Sequence, residues 1–308
     1  MSTAARVSVL LVVVGLIAIA LVAFHALTKP QQTATAISIG GKHFTEQEIL
    51  GEIMALMIEA NTDLTVHRKL NLGGTMICFN ALRAGDLDLY AEYTGTGLVN
   101  ILKRDVIADS DKAYQAVSEA FKAEYDLVWL EPFGFNNTYT LTMRAKHAEQ
   151  LGVRSISELA TKVRAGEKLR AAFDAEFLVR PDGYSGLRKT YDFRFPEEPR
   201  QMDPGLMYKS AADGDVDVID GFATDGRIPA FDLMVLEDDK CFFPPYHAAP
   251  LVRADALARC PQLKHVLNRL AGKIDGQSMQ RLNYEVDEEG RQARDVAREF
   301  LKSQGLIP

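Results

Sequence analysis

The chain has 308 residues, of which 47% are hydrophobic and 25% are charged, as in an ordinary folded globular protein. This length is too great for one small core, so we expect two lobes or one large α/β domain, with two lobes favoured. The formal net charge is −7, and the body beyond residue 36 is more acidic still, because residues 1–36 contain Arg6 and Lys29 but no acid. An acidic body argues against nucleic acid or an anionic membrane surface as a partner.

The N-terminus has the pattern of an export segment. Between residues 7 and 27 only Ser8 and His25 interrupt an apolar run, and Arg6 precedes it. The run approaches the ~20 residues that span a bilayer, whereas the string "TATA" just before the first strand offers a cleavage site of small residues. The sequence therefore leaves open whether this segment is a cleaved signal peptide or a retained membrane anchor.

Beyond the export segment the pattern alternates between strands and helices. "ISI" predicts a first strand, and Thr45 with Glu48 three residues later predicts a capping box at the start of a helix. "LTVHRKL" predicts a second strand, "GGT" opens a helix that ends at Gly85, and "LDLY" predicts a third strand. This alternation indicates βαβ units and a mainly parallel sheet, in which ligands bind beyond the carboxyl ends of the strands.

One unit of the sequence occurs twice. When Gly85 is aligned with Gly214, "GDLDLYAEYTG" falls on "GDVDVIDGFAT", and Tyr93 falls opposite Phe222. A generic helix-to-strand turn is one explanation of this repeat. The other is a pair of similar lobes that face each other across a cleft, each with an aromatic side chain at a strand end.

The sequence lacks the common signatures of enzymes and metal sites. It contains no G-x-S-x-G, H-E-x-x-H, phosphate-loop or G-x-G-x-x-G motif, and no histidine has a partner at ligand spacing. We interpret His43, in the first loop, as a surface residue. Asp88, Glu92 and Asp220 could supply an acid/base pair, but solvated or capping carboxylates are much commoner. We therefore expect no catalytic residues, no metal and no cofactor.

Three cysteines, Cys78, Cys241 and Cys260, are too few and too irregularly spaced for a disulfide framework or a zinc site. We expect them to be buried free thiols. A single disulfide is the alternative in an exported protein.

Aromatic residues are the candidates for lining a binding cleft. Four of them lie at predicted strand ends or in loops rich in Gly and Pro, where binding residues concentrate: Tyr93, Tyr139, Phe222 and Tyr246. A quaternary ammonium group has no N–H to donate, so ring quadrupoles and contact area must attract it. Several ring faces without required hydrogen-bond donors suit such a group.

Cations lie in comparable loops. Lys42 in the first loop and Arg180 in "FLVRPDGY" are suited to holding a carboxylate, and Thr96 can add a hydroxyl donor. Each of these residues alone is also compatible with a surface charge or the edge of a core. Their joint occurrence with the aromatics favours a ligand site.

Long strings of the sequence resemble the substrate-binding proteins of ABC importers for glycine betaine, choline and related osmoprotectants. The similarity runs in order from about residue 37 to the C-terminus. It is carried by the strings "ISIGGKHFTEQEILGEI", "KLNLGGTMICFNALRAGDLDLYAEYTGTGL", "FGFNNTYTLTMR", "RPDGYSGLRKTY", "MDPGLMY", "GFATDGRI" and "FFPPYHAAPLVR".

The resemblance implies an α/β fold of two lobes, the type II periplasmic-binding-protein fold, with mainly parallel sheets and a hinge that the chain crosses twice. Lobe 1 would comprise residues 37–136 and 244–308, and lobe 2 would comprise residues 137–243. Residues 1–36 would be the signal peptide or N-terminal membrane anchor.

The resemblance also implies a ligand site. Members of the family hold a trimethylammonium group in a box of four tyrosines, and hold the carboxylate with a Lys, an Arg and a Thr. By motif, the corresponding residues are Tyr93 and Thr96 in "EYTGT", Tyr139 in "NNTY", Tyr246 in "PPY", Lys42 in the first loop and Arg180 in "RPDG". The fourth tyrosine corresponds to Phe222, which keeps the aromatic face but lacks the hydroxyl.

The function implied is an extracytoplasmic receptor, periplasmic or anchored to the inner membrane, that passes glycine betaine or a similar quaternary amine to a permease with a cytoplasmic ATPase. The receptor would contact the membrane only through residues 7–27, and only if they are retained. Alternatives are a receptor for another amine, such as choline or an ergothioneine-like compound, a sensing domain, or an enzyme on the same two-lobed fold.

Overall fold

The computed structural model describes residues 36–308. The predicted export segment at residues 7–27 lies outside the described residues. Within residues 36–308, none of the helices combines the length and apolar character needed to cross a membrane.

The first sheet has five strands in the order β2-β1-β3-β10-β4. The strands are β1 (Ala36–Gly40), β2 (Thr65–Lys69), β3 (Leu89–Tyr93), β4 (Leu127–Trp129) and β10 (Ala248–Arg253). Strand β1 pairs in parallel with β2 and β3, whereas β10 runs antiparallel between β3 and β4.

The second sheet also has five strands, in the order β7-β6-β8-β5-β9. The strands are β5 (Tyr139–Arg144), β6 (Ala171–Phe173), β7 (Arg200–Gln201), β8 (Val218–Phe222) and β9 (Leu233–Val235). Strand β6 pairs in parallel with β7 and β8, and β5 runs antiparallel between β8 and β9. The second sheet thus repeats the topology of the first, with β8 in the place of β3.

Helices connect the strands. In chain order they are α1 (Thr45–Asn61), α2 (Thr75–Ala84), a π-helical turn (Thr96–Ile101), α3 (Ser110–Tyr125), α4 (Ala145–Leu151), α5 (Ile156–Arg164), α6 (Ala175–Val179), α7 (Tyr184–Thr190), α8 (Pro204–Asp213), α9 (Arg227–Ala230), α10 (Ala254–Arg259), α11 (Gln262–Asn268), α12 (Gly276–Asp287) and α13 (Ala293–Ser303). Helix α1 is buried along most of its length and packs against α12 and α13.

The predicted α/β class with two lobes and mainly parallel sheets is confirmed, because four of the five strands in each sheet run in one direction and one strand, β10 or β5, runs against them. Each sheet has two parallel and two antiparallel pairings. In the first sheet both antiparallel pairings involve β10, and in the second sheet both involve β5. Each of these strands is the first one that the chain forms after it arrives from the other sheet.

The chain passes from the first sheet to the second between β4 and β5, and returns between β9 and β10. The predicted lobe boundaries at residues 136/137 and 243/244 fall within these two connections. The assignment of residues 37–136 and 244–308 to lobe 1 and of 137–243 to lobe 2 stays a prediction, and the two names are used below for those ranges.

The repeat found in the sequence is also present in the structure. Helices α2 and α8 both end at a left-handed glycine, Gly85 (φ 85°) and Gly214 (φ 83°), a conformation that costs glycine little. At the end of α2, Arg253 of β10 donates to a helix carbonyl, and at the end of α8, Arg144 of β5 does the same. The repeat therefore extends beyond the turn to the whole helix–strand unit and its neighbouring strand.

The predicted capping box at the start of α1 is wrong. The residue that precedes the helix is Phe44, and its side chain makes no capping bond. Thr45 instead begins the helix, and its hydroxyl donates to Asp287 of α12. The hydroxyl is therefore engaged by a residue far along the chain and does not cap its own helix.

The cysteines are all free, but only two of the three are buried: Cys78 and Cys260 are buried, and Cys241 is exposed. The prediction of a buried thiol at Cys241 is therefore wrong. Cys241 lies in a turn with φ 50°, between β9 and β10. Burial raises the pKa of the Cys78 thiol to about 11, so this thiol resists ionisation as well as access.

A thiol reagent should therefore take up one label per native chain and three per denatured chain, without prior reduction. Mass spectrometry after alkylation measures both numbers. One label in the denatured chain would instead reveal a disulfide, and three labels in the native chain would contradict the burial of Cys78 and Cys260.

Candidate functional site

All seven predicted site residues line one cleft between the lobes. The cleft contains about 520 Å³ of empty space, including the part that opens to solvent. Its other lining residues, which the sequence did not single out for binding, are His43, Phe44, Gly74, Thr75, Asn137, Asp174, Glu176 and Pro204. The exposed position predicted for His43 is observed, at the edge of this cleft.

Strand ends position the first aromatics. Tyr93 is the last residue of β3 and Phe222 the last residue of β8, so each points from the carboxyl end of its strand toward the cleft. After Tyr93 the chain turns through Gly95 into the π-helical turn that begins at Thr96. A side chain at Gly95 would place its Cβ 2.7 Å from the ring of Tyr246. Glycine is needed there because the backbone that follows β3 lies directly against the ring of Tyr246.

The aromatic side chains form a continuous chain of rings. The centroids of Phe222 and Tyr139 are 5.2 Å apart, and those of Tyr139 and Tyr246 are 5.6 Å apart with the rings nearly perpendicular. Phe44 completes the chain, because its ring stacks on Phe222 at 5.6 Å and lies 6.3 Å from Tyr93. Phe44 was missed in the sequence, although it lies in the same loop as Lys42.

Buried partners hold two of the tyrosine hydroxyls. The hydroxyl of Tyr93 donates to Glu46 (2.7 Å) and accepts from Gln47 (3.1 Å), and that of Tyr246 donates to Asp182 (2.6 Å). Burial, followed by the nearby carboxylates, raises the pKa of Tyr93 and Tyr246 well above the usual value. Both phenols therefore stay neutral at physiological pH, and their ring faces remain available to the cleft.

Lys42 is paired within the first lobe. Its ammonium lies 2.6 Å from a carboxylate oxygen of Glu92 and 5.1 Å from the centre of the Tyr93 ring. Glu92 is completely buried and also accepts bonds from the hydroxyl of Tyr90 and the backbone of Tyr93, both at 2.8 Å. The charge of Lys42 is therefore balanced by an acid that itself anchors the end of β3.

Arg180 is paired in a similar way in the second lobe. Its guanidinium makes two bonds to Asp182, at 2.9 and 2.6 Å, in the forked geometry that gives strong pairs. Longer contacts of 3.4 and 3.5 Å reach the hydroxyl of Thr96 in the first lobe. Arg180 thus bridges the lobes, and Asp182 links it to Tyr246 as well.

Two further acids lie in the cleft wall. Glu176 accepts bonds from the backbone and hydroxyl of Thr75, at 2.7 and 3.1 Å, across the two lobes. Burial opposes its ionisation, but Lys42 and the bonds from Thr75 outweigh burial and lower its pKa. Burial raises the pKa of Asp174 and, more strongly, that of its completely buried neighbour Asp220. Asp220 lies behind the cleft, where burial and the charge of Asp174 disfavour its ionised form.

The buried pair of Lys42 and Glu92 yields a stability prediction. Glu92→Gln removes the negative charge and leaves a buried ammonium unpaired, which should lower the free energy of unfolding by about 3 kcal/mol. The matched control is Glu198→Gln, because Glu198 pairs with Arg194 on the surface and should contribute less than about 1 kcal/mol. Urea denaturation measures both, and equal losses would contradict a special role for the buried pair.

Comparison with known proteins agrees with this geometry. Residues 35–303 match the family model described as the substrate binding domain of ABC-type glycine betaine transport system. The carnitine transport binding protein OpuCC of Listeria monocytogenes is 38% identical over 269 residues, 86% of this chain and 86% of that protein. The glycine-betaine-binding protein of Pseudomonas aeruginosa is 37% identical, over 89% of both chains.

A solved structure of a glycine betaine/carnitine/choline ABC transporter is 36% identical to this chain and superposes on it with a TM-score of 0.74. The match covers 88% of this chain and 100% of the other. Both the predicted family and the predicted fold class are confirmed. The chain belongs to the family of substrate-binding domains of ABC-type glycine betaine transport systems.

Proposed function

We propose that this protein binds glycine betaine or a similar quaternary amine in the cleft, with the methyl groups of the ammonium against the ring faces. The observation that carries the proposal is the continuous chain of five rings, contributed by both lobes: Tyr93, Phe44, Phe222, Tyr139 and Tyr246. A quaternary ammonium offers no hydrogen bond, so a protein holds it by ring quadrupoles, buried contact area and nearby negative charge.

The ligand would act by favouring the closed arrangement of the lobes. Contacts that join the lobes surround the cleft: Thr96 with Arg180, Thr75 with Glu176, and Tyr246 with Asp182. A ligand that touches rings from both lobes binds the closed form better than the open form, and only such a difference can shift the equilibrium. No chemical step is needed for this function.

A second candidate ligand is a cationic amine without a carboxylate, such as choline. Lys42 and Arg180 are each already balanced by a buried acid, Glu92 and Asp182. Glu176 adds a further negative charge to the cleft wall, because its pKa is lowered. Calorimetric titration distinguishes the candidates: tighter binding of choline than of glycine betaine would favour the cation.

The partner would be the permease of an ABC importer with its cytoplasmic ATPase, and the receptor would work outside the cytoplasm. The similarity to transport binding proteins supports this part of the proposal. The export pattern in residues 7–27 supports it independently.

Substitutions at Phe222 test the role of the rings. Phe222→Leu keeps much of the apolar volume but removes the ring face, so glycine betaine should bind several-fold to a hundredfold more weakly, which corresponds to about 1–3 kcal/mol. Phe222→Tyr retains the face and should change the affinity far less. Isothermal titration calorimetry measures both variants against the unmodified protein.

The melting temperature of each ligand-free variant is the control, since a packing role for Phe222 would lower it. Normal affinity in Phe222→Leu would remove this ring from the proposed site. Absence of heat from the unmodified protein with glycine betaine, choline and carnitine would contradict the proposed function itself.

A further inference from the structure

Beneath the aromatic cleft lies a buried carboxylate that does not line it. Glu46, in the first turn of α1, is 3% exposed and accepts hydrogen bonds from four side chains. The donors are the hydroxyl of Tyr93 (2.7 Å), the amide of Asn137 (2.8 Å), the hydroxyl of Thr224 and the amide of Asn283 (3.3 Å). Burial raises the pKa of Glu46 and the four bonds act in the opposite direction.

The four donors come from different parts of the fold. Tyr93 ends β3 and Asn283 lies in α12, both in lobe 1. Asn137 lies in the connection between β4 and β5, and Thr224 follows β8 in lobe 2. Glu46 is therefore a point at which lobe 1, lobe 2 and one of the two connections between them meet.

Two donors of this network fall in the range of lobe 2: Asn137 is its first residue, in the connection, and Thr224 follows β8. Besides its bond to Glu46, Thr224 accepts a bond from the amide of Asn283 at its carbonyl (2.9 Å), and its N–H lies 3.4 Å from the amide oxygen of Asn137. It follows Phe222, one of the cleft rings, by two residues. A movement of lobe 2 away from lobe 1 would therefore break the bonds of Thr224 to Glu46 and Asn283, whereas the bonds of Tyr93 and Asn283 to Glu46 lie within lobe 1.

We propose that Glu46 is a positioning residue that couples the ring of Tyr93 to closure of the lobes. One carboxylate oxygen accepts a hydrogen bond from the hydroxyl of Tyr93, and the other accepts one from the hydroxyl of Thr224. A carboxylate suits this place because it only accepts, and all four neighbours donate. The bond to Thr224 exists only when the lobes are together, so it stabilises the closed form alone. This inference rests on the proposed function, since it describes how the same cleft closes.

The position of Thr224 makes the inference testable without removing a ligand contact. Neither Glu46 nor Thr224 belongs to the lining of the aromatic cleft. Thr224→Val removes the side-chain bond to Glu46, so its effect on binding passes through Glu46, either to the arrangement of the lobes or to Tyr93 and Asn137, which Glu46 also binds. Thr45 provides a matched control, because it is a neighbouring threonine whose hydroxyl donates to Asp287 within lobe 1.

The experiment compares Thr224→Val with Thr45→Val by two measurements. Stopped-flow dissociation of glycine betaine should be roughly tenfold faster for Thr224→Val, the effect of about one hydrogen bond to a charged group, and nearly unchanged for Thr45→Val. Small-angle X-ray scattering of the ligand-free proteins should give a larger radius of gyration for Thr224→Val only. Glu46→Gln should weaken binding further, because it replaces an acceptor by a donor beside Tyr93.

Two results would overturn the inference. One is an equal dissociation rate for Thr224→Val, Thr45→Val and the unmodified protein. The other is an unchanged radius of gyration for ligand-free Thr224→Val, a measurement that needs no ligand and so does not depend on the proposed function. Failure of the unmodified protein to bind any quaternary amine would instead contradict the proposed function, and the scattering comparison would still decide the role of Thr224.

Discussion

The faces of aromatic rings attract a cation that cannot donate hydrogen bonds, and those faces are best available when the polar edges of the rings are satisfied elsewhere. The cleft meets this condition by anchoring Tyr93 to Glu46 and Tyr246 to Asp182 through their hydroxyls. Both carboxylates lie almost completely out of water. The ring faces are therefore fixed from behind, that of Tyr93 by an acid of its own lobe and that of Tyr246 by an acid of the other lobe.

The acids that anchor the rings also balance the cations. Asp182 binds Arg180 as well as Tyr246, and Glu92 binds Lys42 as well as the backbone of Tyr93. Because a buried charge without a partner is costly, these pairs must form whether or not a ligand is present. They leave the cleft with paired cations and with Glu176 in its wall, which is why both a zwitterion and a simple cation are compatible with its charge.

The site is built on a helix–strand unit that occurs twice in the chain, as α2 with β3 and as α8 with β8. The period-2 pattern after a helix-ending glycine was visible in the sequence at Gly85 and Gly214, and it correctly placed Tyr93 and Phe222 at corresponding strand ends. Such patterns can be recognised in the sequence because neighbouring residues determine both the turn and the strand that follows it. The family and the two-lobed class were equally predictable, since long strings of the sequence carry them.

Features that depend on distant partners were not predictable. The predicted capping box at Thr45 is absent because the hydroxyl of Thr45 donates to Asp287 of α12. Phe44 precedes a helix and has no periodic pattern, so nothing in the sequence set it apart as part of the ring chain. Partners such as Asp182 for Tyr246 likewise arise only when the two lobes are brought together.

The most direct test of the account is a crystal structure of the protein with glycine betaine. The trimethylammonium group should lie in the cleft, within about 6 Å of the ring centres of Tyr93, Tyr139, Phe222 and Tyr246, with the bonds of Glu46 to Thr224 and Tyr93 intact. Ligand density elsewhere on the molecule, or in the cleft but away from the ring faces, would contradict it.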